Sequence, residues 1–375
     1  MKLGLFQMPL HPANRPFHET LKENARKIIY ADKLGFDQAW VGEHFSATTE
    51  PIAAPMMFMA SLLPQTKNIV FGTGVVALPN HNPVIVAAEA AQFDHMSEGR
   101  FMFGIGPSGL SSDHELFGNT DGKVRTEKLL ESIDIITRIW QQDPPYDIQG
   151  KYWQVKITES IVPSLGIGYM PKPYQRPLPP IAMSAMSPYS STVKTAAERG
   201  WMPISANFCP EYIVASHFKK YVKGFEAVGR APDGKDWLVA RNIVIADSEQ
   251  EALDAVLDPK GSLYYYFDYL WTVMKRANYT VVMKEDPNSQ DDSLTTEDLI
   301  RSMTIYGSPA TVTEKLAAFR ERVGPFGGLL MSSPDGSGPE LERQLKTMRH
   351  LALDVMPKLR SYAARQETLM ATSDT

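Results

Sequence analysis

The sequence predicts an α/β fold of the (β/α)8 TIM barrel class with two insertions, in one domain over residues 1–362. Three observations carry this. Short apolar runs alternate with amphipathic stretches about eight times along the chain. Polar and titratable residues gather just after the apolar runs, where a barrel of parallel strands does its chemistry. No apolar run leads into a glycine-rich fingerprint with an acidic residue about twenty positions on, which counts against a doubly wound open sheet, the runner-up.

Lys2 to Gln7 reads as a strand and Met8 to Pro16 as a proline-broken loop. Phe17 to Leu34 places Leu21, Ala25, Ile28, Ile29 and Leu34 on one helical face, and Gly35 stops the helix. Phe36 to Gly42 is a buried strand that ends on Glu43 and His44. Pro51 to Leu63 is expected as a second helix, rich in Met56, Met57, Phe58, Met59, Leu62 and Leu63. That is more apolar surface than one core-facing stripe needs. A homodimer with the second and third helices in its interface would cover the excess.

Ile69 to Leu78 is the next strand, and Pro83 to Met96 a helix closed by Gly99. Arg100 to Gly104 is a strand that opens into a Gly/Ser-rich loop as far as Gly118, and Lys123 to Trp140 is a long helix. The pattern breaks over residues 143–179, the first insertion, where the alternation from Tyr152 to Ile157 indicates a hairpin. Strands follow at Pro180 to Ala185, Trp201 to Ala206 and Leu238 to Ala246, separated by helices at Pro188 to Arg199 and Pro210 to Val228. Residues 248–308 form the second insertion. It holds an aromatic cluster, Leu263 to Trp271, and an acidic, serine-rich stretch, Lys284 to Glu297. Its length without strong periodicity is that of a mobile active-site lid. Pro309 to Val323 is a helix, Gly327 to Met331 the last strand and Pro339 to Tyr362 the last helix; residues 363–375 are expected as a disordered tail.

Composition narrows the function. A net charge of −5 argues against nucleic acid as the main partner. Cys209 is the single cysteine, which excludes a disulfide framework and a multi-cysteine metal site. The first apolar run is too short for a signal peptide's core, and no run reaches transmembrane length. A cytoplasmic protein without a membrane partner is expected. The 18 methionines suit an adaptable apolar core or pocket.

Under the barrel reading the strand ends are chemically rich. Glu43, His44 and Ser46 follow the second strand, and Asn80, His81 and Asn82 the third. Ser108, Ser111, Ser112 and Asp113 follow the fourth, Asn207 the sixth, and Ser332 and Ser333 the last. His44 offers proton transfer near neutral pH. Ser184 to Thr192, SAMSPYSST, opens a helix with hydroxyls, a setting for an anion such as phosphate. The alternative is capping by Ser187 with Pro188 in the first turn, which accounts for one serine well and for four less well. The glycines of GIGPSG permit close backbone approach to a flat ligand, or serve a tight turn. His81 reads equally as a ligand contact or a loop residue, while His95 and His114 read as structural. No histidine pair has metal-ligand spacing, so no metal is expected, and no Gly-x-Ser-x-Gly elbow follows a strand.

Four stretches together resemble the bacterial luciferase-like family of flavin-dependent monooxygenases. They are GFDQAWVGEHF, FGTGVVALPNHNPVIVAAEAAQFDHMSEGRFMFGIGPSG, PIAMSAMSPYSSTVKTAAERG and YGSPATVTEKL. The resemblance covers residues 1 to about 250 and resumes near 303. Within the family, TGVVALPNHNP and GIGPSGLSSD are most similar to the limonene monooxygenase type of two-component enzyme.

The resemblance implies a barrel that holds reduced flavin, FMN or FAD, at its strand carboxyl ends. A separate flavin reductase would supply the cofactor, and a flavin C4a-peroxide formed with O2 would oxygenate a small, mostly apolar substrate. His44 would be the general acid/base, with Glu43 orienting it. Thr73 and Gly74 would lie under the flavin ring, the Gly74–Val75 bond would be cis, and Ser184, Met186, Ser187, Ser190 and Ser191 would form the phosphate site. Asn80 and Gly106 complete the implied cofactor contacts. Gly106 stands where luciferase itself has a reactive cysteine, so no thiol chemistry is implied. The alternatives are an F420-dependent oxidoreductase that transfers hydride and a catalytically silent flavin-binding partner subunit.

Overall fold

The computed structural model describes residues 1–7 and 10–373, with side chains as far as residue 366. The first two residues of the expected Met8 to Pro16 loop lie outside the described residues. β1 (Lys2–Gln7) leads to α1 (Phe17–Leu34) and β2 (Gln38–Val41). Gly35 ends α1 in the left-handed conformation at φ 78°, which glycine adopts at no steric cost. After α2 (Pro55–Ala60) come β3 (Val70–Thr73), β4 (Val76–Ala77) and α3 (Pro83–Met96). Asn82 caps α3 by accepting the Val84 N–H, and Pro83 fills its first position. β5 (Phe101–Gly106), α4 (Ser111–Leu116) and α5 (Gly122–Gln141) precede an antiparallel hairpin of β6 (Tyr146–Gln149) and β7 (Gln154–Ile157). β8 (Ile181–Ala185), α6 (Ser191–Glu198), β9 (Met202–Ser205), α7 (Glu211–Ala227) and β10 (Leu238–Ile245) resume the alternation. The chain ends through α8 (Glu249–Leu257), α9 (Ser262–Arg276), α10 (Thr296–Met303), β11 (Thr304–Gly307), α11 (Pro309–Val323), β12 (Gly328–Ser332), α12 (Pro339–His350) and α13 (Met356–Ser373).

Eight parallel strands close the barrel in the order β1, β2, β3, β5, β8, β9, β10, β12, with β12 pairing back onto β1. The lumen is filled by Trp40, Met102, Ala182, Ile204, Leu238, Ala240 and Leu330. Strand neighbours of these residues, such as Val239 and Leu329, pack outward against the helices. Trp40 is fully buried, and glycines make room for it. A Cβ on Gly72 would come within 2.4 Å of Trp40 Cε3. No helix among the described residues is long and apolar enough to cross a membrane.

Four expectations need correction. The strand expected over Ile69 to Leu78 is in two pieces, β3 and β4, with the cis peptide Gly74–Val75 between them, and both pieces pair with β5. The helix expected over Pro51 to Leu63 is only α2, because Pro64 and the chain after Ala60 tighten into a 3-10 turn, Leu63–Gln65. The segment 248–308 is largely regular. Leu263, Tyr266, Phe267, Leu270, Trp271 and Met274 form one buried face of α9, and a capping box at Thr295 and Asp298 starts α10. It also contains β11, which pairs with the far half of β10 outside the closed ring. Residues 363–373 continue α13 and Ala363 is buried; the last two residues of the expected disordered tail lie outside the described residues.

Candidate active site at the barrel mouth

β2 delivers Glu43 and His44 just past its last residue, and the two side chains diverge as neighbours on an extended chain do. Glu43 does not orient His44. Its buried Oε1 accepts the Ala77 N–H at 3.0 Å and lies 3.0 Å from His81 Nε2. His44 lies instead between two other carboxylates. Its Nε2 is 3.3 Å from Glu50 Oε2 and its Nδ1 is 3.6 Å from Asp113 Oδ2. The His44 N–H donates to Ile52 O at 3.3 Å, which folds residues 44–52 back and returns Glu50 to the site. Asp113, in the first turn of α4, accepts the Phe45 and Ser46 N–H groups at 3.2 and 2.9 Å.

These contacts set the charge. Burial alone would push the His44 pKa down, but Glu50 and Asp113 overcome that and hold it at about 9. Burial would likewise raise Asp113, yet His44, Ser46 and the backbone N–H groups bring it down to about 2. The site therefore holds an imidazolium between two carboxylates at neutral pH. Such a group donates a proton or a charged hydrogen bond more readily than it accepts one.

The strand register places the glycines next to this histidine. Val41 pairs with Thr73, and a Cβ on Gly42 would be 3.4 Å from Gly74 O. Ala77 pairs with Gly106, and Ile105 with Met183. A Cβ on Gly106 would lie 2.5 Å from Val75 Cγ2 and 2.9 Å from Ser184 Oγ, so bare backbone is required there. Thr73 sits at the end of β3. Its hydroxyl donates to Gly104 O at 2.7 Å and accepts the Gly104 N–H at 2.8 Å, tying β3 to β5. Asn80 Oδ1 accepts from Asn119 at 2.9 Å, while its buried Nδ2 has no hydrogen-bond partner among the described residues.

The serine-rich stretch is organised as a loop before α6. The helix starts at Ser191, so Ser187 and Pro188 lie outside it, and the Ser190 hydroxyl makes no capping bond. That hydroxyl instead lies 2.7 Å from Thr192 Oγ1. The first-turn amides thus lack the side-chain acceptor that capping would supply, which fits an anion. Neighbours fix the loop backbone. Ser187 O accepts from His217 Nε2 at 2.9 Å, the Tyr189 N–H donates to Ser216 Oγ at 2.8 Å, and Met186 O accepts from Cys209 Sγ at 3.3 Å. The bare Gly106, the orphaned Asn80 amide and the uncapped α6 terminus together suit a flat ring that carries a phosphate.

α9 covers the mouth. Asn207 Nδ2 lies 2.7 Å from Tyr266 Oη, 2.9 Å from Asn242 Oδ1 and 3.1 Å from Ser332 Oγ. Tyr265 Oη donates to His11 O at 3.2 Å. Burial, and then the nearby Glu50 charge, push the Tyr269 hydroxyl up to about 12. Glu50 and Tyr266 were not singled out from the sequence, and Asp113 was placed after the fourth strand without being matched to His44. Glu50 lies in the same short stretch as His44, and an acidic residue six positions past a catalytic-type histidine was the available signal.

Among the described residues, His11, Glu23 and Asp335 bring their ligand atoms within 4.8 Å of one another. Arg15 bridges both carboxylates at 2.8 Å, and Lys27 Nζ lies 3.8 Å from Glu23, so built-in cations already neutralise this group.

The family model described as luciferase-like monooxygenase matches residues 1–324. A 4-hydroxyprotoasukamycin monooxygenase of Streptomyces nodosus subsp. asukaensis is 29% identical, over 91% of this chain and 88% of its own length. Limonene 1,2-monooxygenase of Rhodococcus erythropolis is 26% identical, over 99% of this chain and 92% of its own. Among solved structures, the oxygenating constituent of 3,6-diketocamphane monooxygenase from Pseudomonas putida, in complex with FMN, superposes with a TM-score of 0.85 at 26% identity, covering 96% of this chain and 98% of that one. With this match across most of its length, on a closed barrel whose mouth carries His44, the chain belongs to the luciferase-like monooxygenase family.

Proposed function

We propose that the chain is the oxygenase component of a two-component flavin monooxygenase, which takes reduced FMN from a separate reductase and uses O2 to oxygenate a small, mostly apolar organic molecule. The observation that carries this reading is the His44 imidazolium between Glu50 and Asp113, on the strand next to the bare backbone at Gly74 and Gly106. Bound reduced flavin would supply the activation of O2. The chain's own residues do the remaining work. Ser184, Ser187, Ser190, Ser191 and the first amides of α6 take the phosphate, and Met186 and Asn80 border the ring. Gly74 and Gly106, whose side-chain positions are filled by Phe6, Trp40, Val75 and Ser184, bring bare backbone to the floor beneath the ring, with Thr73 bracing the strands. His44 donates a proton to oxygen as negative charge develops there. Tyr265, Tyr266 and Tyr269 on α9 keep water away from the reacting atoms. The names limonene and diketocamphane monooxygenase among the relatives support a compact, apolar substrate, and the FMN-bound neighbour favours FMN over FAD.

Anaerobic titration with reduced FMN, reduced FAD and reduced F420, followed by protein fluorescence, tests the cofactor. Reduced FMN is expected to bind tightest, at one per chain. Tightest binding of F420, with hydride transfer in the absence of O2, would replace this reading with the oxidoreductase one. Binding of reduced flavin followed, once air is admitted to the complex with substrate, by no oxygenated product would point to the silent subunit.

A further inference from the structure

The outer face of β10 carries a side chain that the barrel mouth does not use. Leu238 and Ala240 point into the lumen, so Arg241 faces the helical layer, where apolar residues normally pack. It is 3% exposed. Its Nη1 donates to Cys209 O at 2.8 Å and Asn207 O at 3.3 Å, and its guanidinium lies 4.5 Å from the Phe319 ring centre. Its Nε and Nη2 are buried and have no hydrogen-bond partner among the described residues. Burial draws its pKa down, to about 10, which leaves it a cation at neutral pH. Thr304 Oγ1 is buried without a partner in the same way.

Arg241 and Thr304 line one cavity of about 280 Å³ bounded by β10, β11, α7, α10 and α11. Arg301, Lys315 and Arg322 also line it. Two of these have their own carboxylates: Arg322 grips Glu211 at 2.6 and 2.8 Å, and Arg301 holds Glu297 at 2.6 Å. Lys315 Nζ donates to Tyr306 O at 2.8 Å, and no carboxylate among the described residues is within ion-pair distance of it. Lys315 feels the charge of Glu249, and Glu211, which also lines the cavity, is taken up by Arg322. Arg241 is thus the buried cation at this cavity whose Nε and Nη2 donors stand idle. Burying a guanidinium with idle donors is costly unless an anion meets it.

We propose that this cavity binds a phosphate group, free or carried on a small ester, through Arg241, Thr304 and Lys315. The Nε–Nη2 edge of a guanidinium offers two parallel donors that match a phosphate, and the hydroxyl and ammonium supply the rest. The site is separate from the barrel mouth but linked to it. Arg241 holds the Asn207 carbonyl, and the Asn207 side chain contacts Tyr266 on the covering helix.

The test is calorimetric titration of inorganic phosphate into the full-length protein at constant ionic strength in chloride, with and without saturating FMN, and with glycerol 3-phosphate as a second arm. One phosphate per chain is expected, with a Kd of about 1 mM or tighter, retained when FMN is bound. Lys315→Gln should weaken it about tenfold, and Thr304→Val should weaken it with unchanged melting. Arg241→Met should abolish it; should that variant fail to fold, the other two decide. The stronger of the two arms identifies the free ion or the ester as the ligand. Absence of saturable binding, affinity unchanged in the Lys315 and Thr304 variants, or complete displacement by one FMN per chain would overturn the proposal, as would phosphate-soaked crystals with only water in the cavity.

Discussion

His44 Nε2 lies 3.3 Å from Glu50 Oε2, and this pair, with Asp113 on the opposite nitrogen, makes the histidine a cation at neutral pH. Its pKa in the folded protein, about 9, stands above the ordinary 6.5. A raised pKa means the protonated form is favoured by folding, so its contribution to stability is complete below 6.5 and fades as pH rises through about 9. Activity that needs the imidazolium should fall over the same alkaline window. In Glu50→Gln the midpoint of the alkaline limb, followed by turnover and by the His44 ring resonances, is expected to move from about 9 toward 6.5. An unmoved midpoint would remove Glu50 from the account.

His44→Ala should lower turnover by about 10²-fold or more, the usual scale for a proton-transferring side chain, with native melting. Turnover close to that of the parent enzyme would leave His44 a structural residue.

Gly106→Ala places a methyl 2.5 Å from Val75 Cγ2 and 2.9 Å from Ser184 Oγ. It should weaken reduced-FMN binding by about tenfold while the substrate response changes little. An unchanged FMN affinity would take Gly106 out of the flavin floor.

The architecture was legible because a barrel repeats one signal. Strands such as Lys2–Gln7 and Leu238–Ile245, and stops such as Gly35, were expected close to where they lie. The cis Gly74–Val75 bond was expected as well, from the family resemblance and not from the residues alone. What escaped was non-local. Glu43 neighbours His44 in the chain, but extended backbone turns the two apart, and Glu43 meets His81 instead. Asp113 reaches His44 across about seventy residues, a pairing that only the barrel closure brings about. The helical periodicity of the second insertion escaped because its buried face, Leu263 to Met274, is aromatic.

Barrel packing makes its own prediction. Gly72→Ala drives a methyl to 2.4 Å from Trp40 Cε3 in a filled lumen. Overpacking of this kind costs about 1–3 kcal/mol, to be read as a lower denaturant midpoint with an unchanged slope.

The α2–α3 face tests association. Met57 is 77% exposed, and Ile85 and Met96 stand more than half exposed on α3. A homodimer that covers them is expected, and Met57→Lys should shift light scattering toward the monomer mass. A parent protein that is monomeric at micromolar concentration would contradict this.

Isotope transfer tests the central claim most directly. The purified chain, a flavin reductase, NADH, FMN and a panel of monoterpenes and bicyclic ketones are supplied with ¹⁸O₂, and products are read by mass spectrometry. The expected result is one ¹⁸O atom in an oxygenated product, dependent on the reductase and lost in His44→Ala. Product that forms without O₂, or that carries oxygen only from water, would contradict it.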